Sequence, residues 1–395
     1  MSDTTGVLEE AHGLLGEAIE LRRRIHRRPE LGLELPGTQE IVLDALDGLG
    51  LELTSGVRTS SVVGVLHGDR PGPTTLLRGD MDALPMPEDT GLDFASGIDG
   101  AMHACGHDAH VAMLVGAARM LAARRAELAG DVVFMFQPGE EGHGGAAVML
   151  DEGLLERHGT IDRAFAIHIT PTMPSGLIAT RGGTIMASAD AFELTITGKG
   201  GHASMPHDAV DPVPVACELV MALQAMITRR VSVFDPAVLT IASISAGTTN
   251  NVIPERAVLQ GTIRATSEDA RRIALDGLAR VADHICAAHL CEVSSSWIMD
   301  YPVTINSSVA AERTLTVAGE LLGPGRVLRM PTPVMGAEDW SYVLQKVPGS
   351  MAFLGAGPPG VDSPAPNHSN RMIIDEEAMA TGIALHVAMA TSPSS

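Results

Sequence analysis

Residues 103–110, HACGHDAH, hold three histidines, a cysteine and an aspartate, nearly every side-chain type that a transition metal accepts. Thiolate and imidazole together suit borderline ions such as Zn²⁺ or Mn²⁺, and a helix N-terminus lowers a thiol's pKa. Cys105 and His107, two apart just before a helix-like run, are the first candidates, with His103 and His110 flanking them. A lone cysteine is more often a small buried hydrophobe, and here the neighbours turn the reading toward a ligand. The tract supplies two or three ligands at most, so the others must come from elsewhere in the chain.

Other stretches offer them. In QPGEEGHGG, residues 137–145, paired glutamates follow an apolar strand in a glycine-rich loop. Such a pair can be a solvated turn. It can also divide labour, one carboxylate ligating an ion and the other taking a proton from water that the ion has acidified. His168 sits inside the apolar run AFAIHI, where a histidine is usually a satisfied core residue, and His368 lies in the turn-rich PAPNHSN. LLRGDMDALP adds Asp80 and Asp82, readable as turn caps or as groups that orient a ligand histidine from behind. Farther on, GKGGHASMPH (198–207) places His202 and His207 in a flexible glycine turn that could reach a substrate on a neighbouring domain or subunit.

The elements that carry these residues fall into two patterns. TTLLRGD (74–80), DVVFMFQ (131–137) and RAFAIHI (163–169) read as buried strands, and HVAMLVGAARMLAARRAEL (110–128) as a helix. Strands alternating with helices predict a mostly parallel sheet covered on both faces, with the reactive residues at the strands' C-terminal ends. From about residue 186 the order becomes strand, helix, strand, strand, helix, strand: FELTI, DPVPVACELVMALQAMITRR, AVLTIASI, AVLQGTIRA, SEDARRIALDGLARVADHICAAHL and CEVSSSWI. That is the ferredoxin-like arrangement. The economical division is a discontinuous α/β catalytic domain, 1–185 plus 299–395, split by an inserted α+β domain at 186–298. A chain of 395 residues is also too long for one ordinary core.

Composition removes several function classes. With 27 basic against 48 acidic residues and a net charge of −21, the protein repels nucleic acid and anionic membranes. No stretch reaches the ~18 uninterrupted apolar residues of a membrane span. The opening MSDTTGVLEEAHGLL lacks a basic segment followed by an apolar run, so no signal peptide is expected. The four cysteines Cys105, Cys217, Cys286 and Cys291 are too few for a disulfide scaffold, and free thiols predict a cytoplasmic protein.

RRRIHRRPELGLE, LLRGDMDALP, MHACGHDAH, FQPGEEG, GKGGHASMPHDAVDP, NVIP, GTIRAT, GAEDWSYVL and NHSN follow one another in this order between about residues 20 and 385. In this the chain resembles the aminoacylase/carboxypeptidase-like binuclear metallopeptidases. Within them it looks like the amidohydrolase subgroup of hippurate hydrolases, N-acyl-amino-acid amidohydrolases and auxin-conjugate hydrolases. The resemblance implies a zinc-exopeptidase-like mixed sheet flanked by helices, with an inserted ferredoxin-like lid or dimerisation domain. It implies two divalent ions per subunit, Zn or Mn ahead of Co or Ni, bridged by Cys105 and held further by His107, Glu141, His168 and His368. Glu140 would be the general base that activates the bridging water, with Asp82 behind the ligands. His202 would cross a homodimer or homotetramer interface to stabilise the oxyanion, and Asn251 and Arg264 would hold the substrate's free carboxylate. The substrate implied is a small N-acyl amino acid.

One departure is Trp340 after Glu338–Asp339, where phenylalanine is commoner. With 2 Trp, 2 Tyr and 7 Phe against 20 Met, the acyl pocket is expected to take aliphatic chains as readily as aromatic ones. Three rival readings stand beside the amidohydrolase: a dipeptidase or aminopeptidase of the same family, a cysteine hydrolase using Cys105, and a non-catalytic metal holder. Glu140 speaks against the last, because a metal holder needs no base beside its ligand.

Overall fold

A computed structural model describes residues 6–157 and 159–392; the first five residues of the stretch expected to lack a signal segment, and 393–395 of the TSPSS tail, lie outside them. Contacts divide the chain into two compact units, Met1–Ile185 with Ile305–Thr332 and Tyr342–Ser395, and Met186–Thr304 with Pro333–Ser341. The second unit thus runs past 298 to Thr304 and takes in the segment carrying Trp340.

The first unit is built on eight strands in the spatial order Glu52–Ser55, Val62–Leu66, Val132–Gln137, Thr75–Asp80, Arg163–Pro174, Gly349–Gly357, Ile178–Thr180 and Val327–Arg329. Three of the neighbouring pairs are antiparallel and four parallel. The sheet is therefore mixed, as the family resemblance implies, and less parallel than the strand–helix alternation alone predicts. The alternation reports only the long central strands, whereas direction reverses at the flanks. Thr75–Asp80 and Val132–Gln137 are buried at every residue, which is why they read as runs and not as alternations. The charged exceptions Arg78 and Asp80 face each other at 2.8 Å.

Helix His107–Ala123 packs on helices Val7–His26 and Ala378–Thr391 and is buried along almost its whole length. Its Ala, Val, Leu and Met residues lie all round it, the composition of a core helix. It begins earlier than the expected 110 and stops at Ala123, followed by a 3₁₀ turn at Arg125–Glu127. His107 therefore opens the helix instead of preceding it. Gly106 permits this start: its φ is +91°, and a β-carbon there would lie 2.4 Å from Ile169 Cγ2.

In the second unit strands Ala189–Thr197, Ala237–Ala246, Arg256–Ala265 and Glu292–Tyr301 alternate with helices Pro212–Arg230 and Glu268–Ala288 in β-α-β-β-α-β order. Across the sheet they run second, third, first, fourth, every pair antiparallel, which is the ferredoxin-like topology. The helices start where side chains cap them, Asp211 accepting from Val213 N and Ser267 from Ala270 N. Phe192, Leu194 and Ile196 alternate inward from the first strand onto Leu219, Leu223 and Leu278. Among the described residues no helix is long and apolar enough to cross a membrane.

Candidate metal centre

Strand register assembles the site in the first unit. Asp80, last in its strand, is level with Gln137, after which the chain turns into the loop of Glu140 and Glu141. On the other side Arg78 is level with Ala166, two residues before His168. The ligand atoms of Cys105, His107 and His168 lie within 4.8 Å of one another, and so do those of Cys105, Glu141 and His368. The Cys105 sulfur is common to both groups. It lies 3.4 Å from His168 Nε2, and Glu141 Oε1 lies 3.2 Å from His368 Nε2. A further group joins His107, Glu140 and Glu141, so the buried Glu140 stands beside the candidate ligands.

The remaining polar atoms of these residues are occupied in ways that aim them. His107 Nδ1 donates to the Asp82 main-chain carbonyl at 2.8 Å, and His168 Nδ1 to the Ile169 carbonyl at 2.9 Å. Each bond fixes the tautomer and leaves Nε2 as the lone pair facing the cluster. Asp82 does its other work through its carboxylate, which accepts Glu140 N at 2.9 Å and Glu141 N at 3.0 Å. The carboxylate lies 3.6 Å from His107, so it positions the glutamate loop while the backbone orients the histidine. His368 holds a φ of +67°, rare for a residue with a β-carbon. Its N–H donates to Ala104 O at 2.7 Å, and Asn367 Nδ2 donates to Cys105 O and Ile169 O at 3.0 and 3.2 Å.

Among the described residues, the buried atoms without a hydrogen bond of good geometry include His107 Nε2 and Glu141 Oε1. Both are lone-pair donors, and a buried acceptor is stable only if something binds it. A divalent cation fits that need, and the sulfur, imidazole and carboxylate set suits a borderline ion. Electrostatics point the same way. Burial would depress His107, yet Asp80 and Cys105 hold it well above the ordinary imidazole value, favouring a positive charge at Nε2 that a bound cation would supply in place of a proton. His368 is raised to about 10 by Cys105 and Glu141, which face it. The cluster draws positive charge. His168, in contrast, is lowered to about 3 by burial and by His110, and stays a neutral donor. Burial and the Glu141 charge push the Cys105 thiol up, the opposite of what a free thiolate nucleophile requires.

The rest of HACGHDAH is engaged or enclosed. Asp108 accepts from Arg22 Nε at 3.0 Å and from His26 Nδ1 at 2.7 Å. His110 bonds Asp80 Oδ1 at 2.5 Å through Nδ1, while its Nε2 accepts Ile169 N–H at 2.8 Å. His103 is buried with neither ring nitrogen bonded, and burial lowers it to about 3. Sequence reasoning left out Arg78 and Asn367. The signal for Arg78 was available, since a charged residue inside an apolar strand needs a buried partner. The i, i+3 spacing of His107 and His110 likewise puts both on one helix face.

His202, Asn251 and Arg264 belong to the second unit. A two-residue ribbon pairs His202 with Val252, and Ala203 N donates to Asn251 O at 3.1 Å, so His202 and Asn251 are neighbours. Both are exposed. His202 Nδ1 accepts from Ser204 N at 3.1 Å and lies 2.7 Å from Ser204 Oγ. His207 is exposed nearby, and Arg264 is half-buried on strand Arg256–Ala265. Burial lowers the Arg264 pKa despite the Asp190 charge.

Known proteins resemble the chain over nearly its full length. It is 38% identical over 376 residues to thermostable carboxypeptidase 1 of Saccharolobus solfataricus, covering 94% of both chains. It is 35% identical over 377 residues to IAA-amino acid hydrolase ILR1-like 4 of Arabidopsis thaliana, covering 94% of this chain and 84% of that one. A solved Bacillus subtilis protein, described as a dinuclear metal-binding peptidase from the M20 family, superposes with a TM-score of 0.81 at 31% identity, over 96% and 98% of the two chains. Residues 76–392 match peptidase family M20/M25/M40, and the chain is a hydrolase of that family.

Proposed function

We propose that the protein is a metal-dependent amidohydrolase that cleaves the amide bond of small N-acyl amino acids. One observation carries the reading: a single sulfur, Cys105 Sγ, belongs to two ligand groups while the buried Glu140 carboxylate stands beside them. Cys105, His107, Glu141, His168 and His368 would hold two divalent ions, Zn or Mn ahead of Co or Ni. When bound, the ions supply an acidified water and a positive field for the acyl oxygen. Glu140 takes the water's proton as its oxygen adds to the acyl carbon. It returns that proton to the nitrogen as the C–N bond breaks, giving a carboxylic acid and a free amine. Asp82, through the amides of Glu140 and Glu141, holds the two carboxylates in their separate tasks. His202 donates to the developing oxyanion, and Asn251 and Arg264 receive the substrate's free carboxylate.

The His202 role calls for a second copy of the chain. Strand Ala237–Ala246 is an edge of its sheet, ten residues without a charge, with Val238 and Ile244 exposed. Long uncharged edges invite strand pairing, so this edge is the one through which a homodimer or homotetramer would form. Four free cysteines agree with a reducing, cytoplasmic setting.

The carboxypeptidase relative favours a second reading, cleavage of peptides. The experiment is a panel of N-acetyl, N-benzoyl and longer N-acyl amino acids with free-amine dipeptides, assayed after chelation and after adding back Mn²⁺ or Zn²⁺. The amidohydrolase reading expects activity that chelation abolishes, metal restores and acyl substrates dominate. Preference for dipeptides moves the assignment to peptidase. Full activity after exhaustive chelation removes the metal mechanism and reopens a cysteine hydrolase.

A further inference from the structure

His110 lies between the two imidazoles assigned to the metal centre. Its ring stacks on His107 with centroids 5.5 Å apart and meets the edge of His168 at 5.1 Å. Both of its nitrogens are used. Nε2 accepts a main-chain N–H, that of Ile169, so in the neutral ring the proton sits on Nδ1, which donates to Asp80 Oδ1. Asp80 is a fully buried carboxylate. Its second oxygen lies 2.8 Å from Arg78 Nη1 and 3.3 Å from His107 Nε2.

The Ile169 peptide is the other end of this chain of bonds. Its N–H is held by His110, and its carbonyl accepts His168 Nδ1. The strand carrying His168 pairs with Thr75–Asp80 only as far as Ala166. Beyond that point the His110 ring takes the Ile169 N–H on this side, while the strand stays paired with Gly349–Gly357 on its other side and Asn367 Nδ2 bonds the Ile169 carbonyl.

We propose that Asp80 and His110 are positioning residues, which set the orientation and tautomer of His168 through one buried hydrogen-bonded chain running Arg78–Asp80–His110–Ile169–His168. The inference rests on the metal-centre reading above. It departs from a simple core role in one respect: the histidine's two bonds end on the groups that aim ligands, not on packing partners. Outer hydrogen-bond partners of metal-binding histidines typically contribute about 10–100-fold in affinity.

The test uses the full chain stripped of metal, with Zn²⁺ affinity read by competition against a chromophoric chelator and the thiolate-to-metal charge-transfer band read with Co²⁺. His110→Phe keeps a ring and removes both hydrogen bonds. Asp80→Asn keeps the shape and removes the negative charge and one of the two acceptor oxygens, and it serves if His110→Phe does not fold. His386→Phe is the control, another buried histidine, packed edge-on to Phe165. The expected result is a roughly 10–100-fold loss of Zn²⁺ affinity and an altered Co²⁺ band in His110→Phe and Asp80→Asn. His386→Phe should keep wild-type affinity whatever it does to the thermal midpoint. His110→Gln, which offers a donor and an acceptor, should recover part of the loss. Folded Asp80→Asn or His110→Phe with wild-type affinity and spectrum overturns the relay. Wild-type protein that binds neither ion overturns the metal-centre reading itself, a separate failure.

Discussion

Histidines occupy two very different settings in this protein. In the first unit His107, His110 and His168 are buried, and each has at least one ring nitrogen committed to a named backbone or carboxylate partner. In the second, His202 is exposed at the end of a two-residue ribbon, and among the described residues only Ser204 bonds its ring. The buried set is over-determined, so its geometry exists before any substrate arrives. The exposed one is only half-specified, and whatever it acts on must be brought to it. A division of labour follows: chemistry fixed in one unit, charge stabilisation supplied from the other, in this proposal from a second copy.

The sharpest way to break that division is Glu140→Gln. The carboxamide keeps size and hydrogen bonding but cannot take a proton. Metal content should stay at the wild-type value while turnover falls by about 10²–10⁴-fold, the usual contribution of a general base. Near-normal turnover with full metal content would remove Glu140 from the chemistry.

A second test asks whether the buried region is as tightly tied as its bonds suggest. His26 is enclosed between Asp108 and Glu88. Burial and the Arg22 charge both lower its pKa, but Asp108 and Glu88 prevail and raise it from 6.5 to about 9. A raised histidine pKa contributes stability in full below the unfolded value and loses it as pH climbs through the folded one. The first unit should therefore lose on the order of 3 kcal/mol between about pH 6.5 and 9. His26→Gln should flatten that slope, measured as thermal midpoint against pH. An unchanged slope in the variant would mean that His26 is neutral in the folded protein.

Much of this arrangement is legible in the sequence, and the omissions share a cause. Cys105, His107, Glu141, His168 and His368 are each marked by an unusual residue in a turn or strand, and the structure brings their side chains together. The β-α-β-β-α-β order of the second unit is likewise visible as alternation and capping. What does not show is any relation that depends on register between distant strands. Asp82 reaches the Glu140 amide across 58 positions, and Asn367 reaches Cys105 O across 262. No local period encodes those pairings. The flanking strands Ile178–Thr180 and Val327–Arg329 are too short to carry a period, so the mixed character of the sheet stays hidden from the strand–helix alternation.

The exposed region is tested next. His202→Ala removes a donor to the oxyanion and should cost about 10²–10³-fold in turnover. Metal content and the first unit's thermal midpoint should not move, in contrast to His110→Phe. Ile244→Lys places a charge on the edge strand and should yield monomers by light scattering with the same loss of rate. An active monomer would show that His202 does not act across an interface.

The smallest effect belongs to Ser204. An oxyanion donor must carry its proton on the nitrogen that faces the substrate. His202 Nδ1 accepts the Ser204 main-chain N–H, and an N–H can only donate, so Nδ1 holds the lone pair and Nε2 carries the hydrogen. The Ser204 hydroxyl adds a second donor to the same atom at 2.7 Å. Ser204→Ala deletes that second bond and leaves the main-chain one, so the tautomer survives while the ring gains freedom. Loss of one neutral, exposed hydrogen bond is worth about 0.5–1.5 kcal/mol, a few-fold drop in turnover with unchanged metal binding. Ser204→Pro removes the amide hydrogen as well and should approach the loss seen for His202→Ala. If Ser204→Ala and Ser204→Pro behave alike, the ribbon does not set the tautomer, and the contrast between a pre-set buried site and a lightly held exposed donor becomes sharper still.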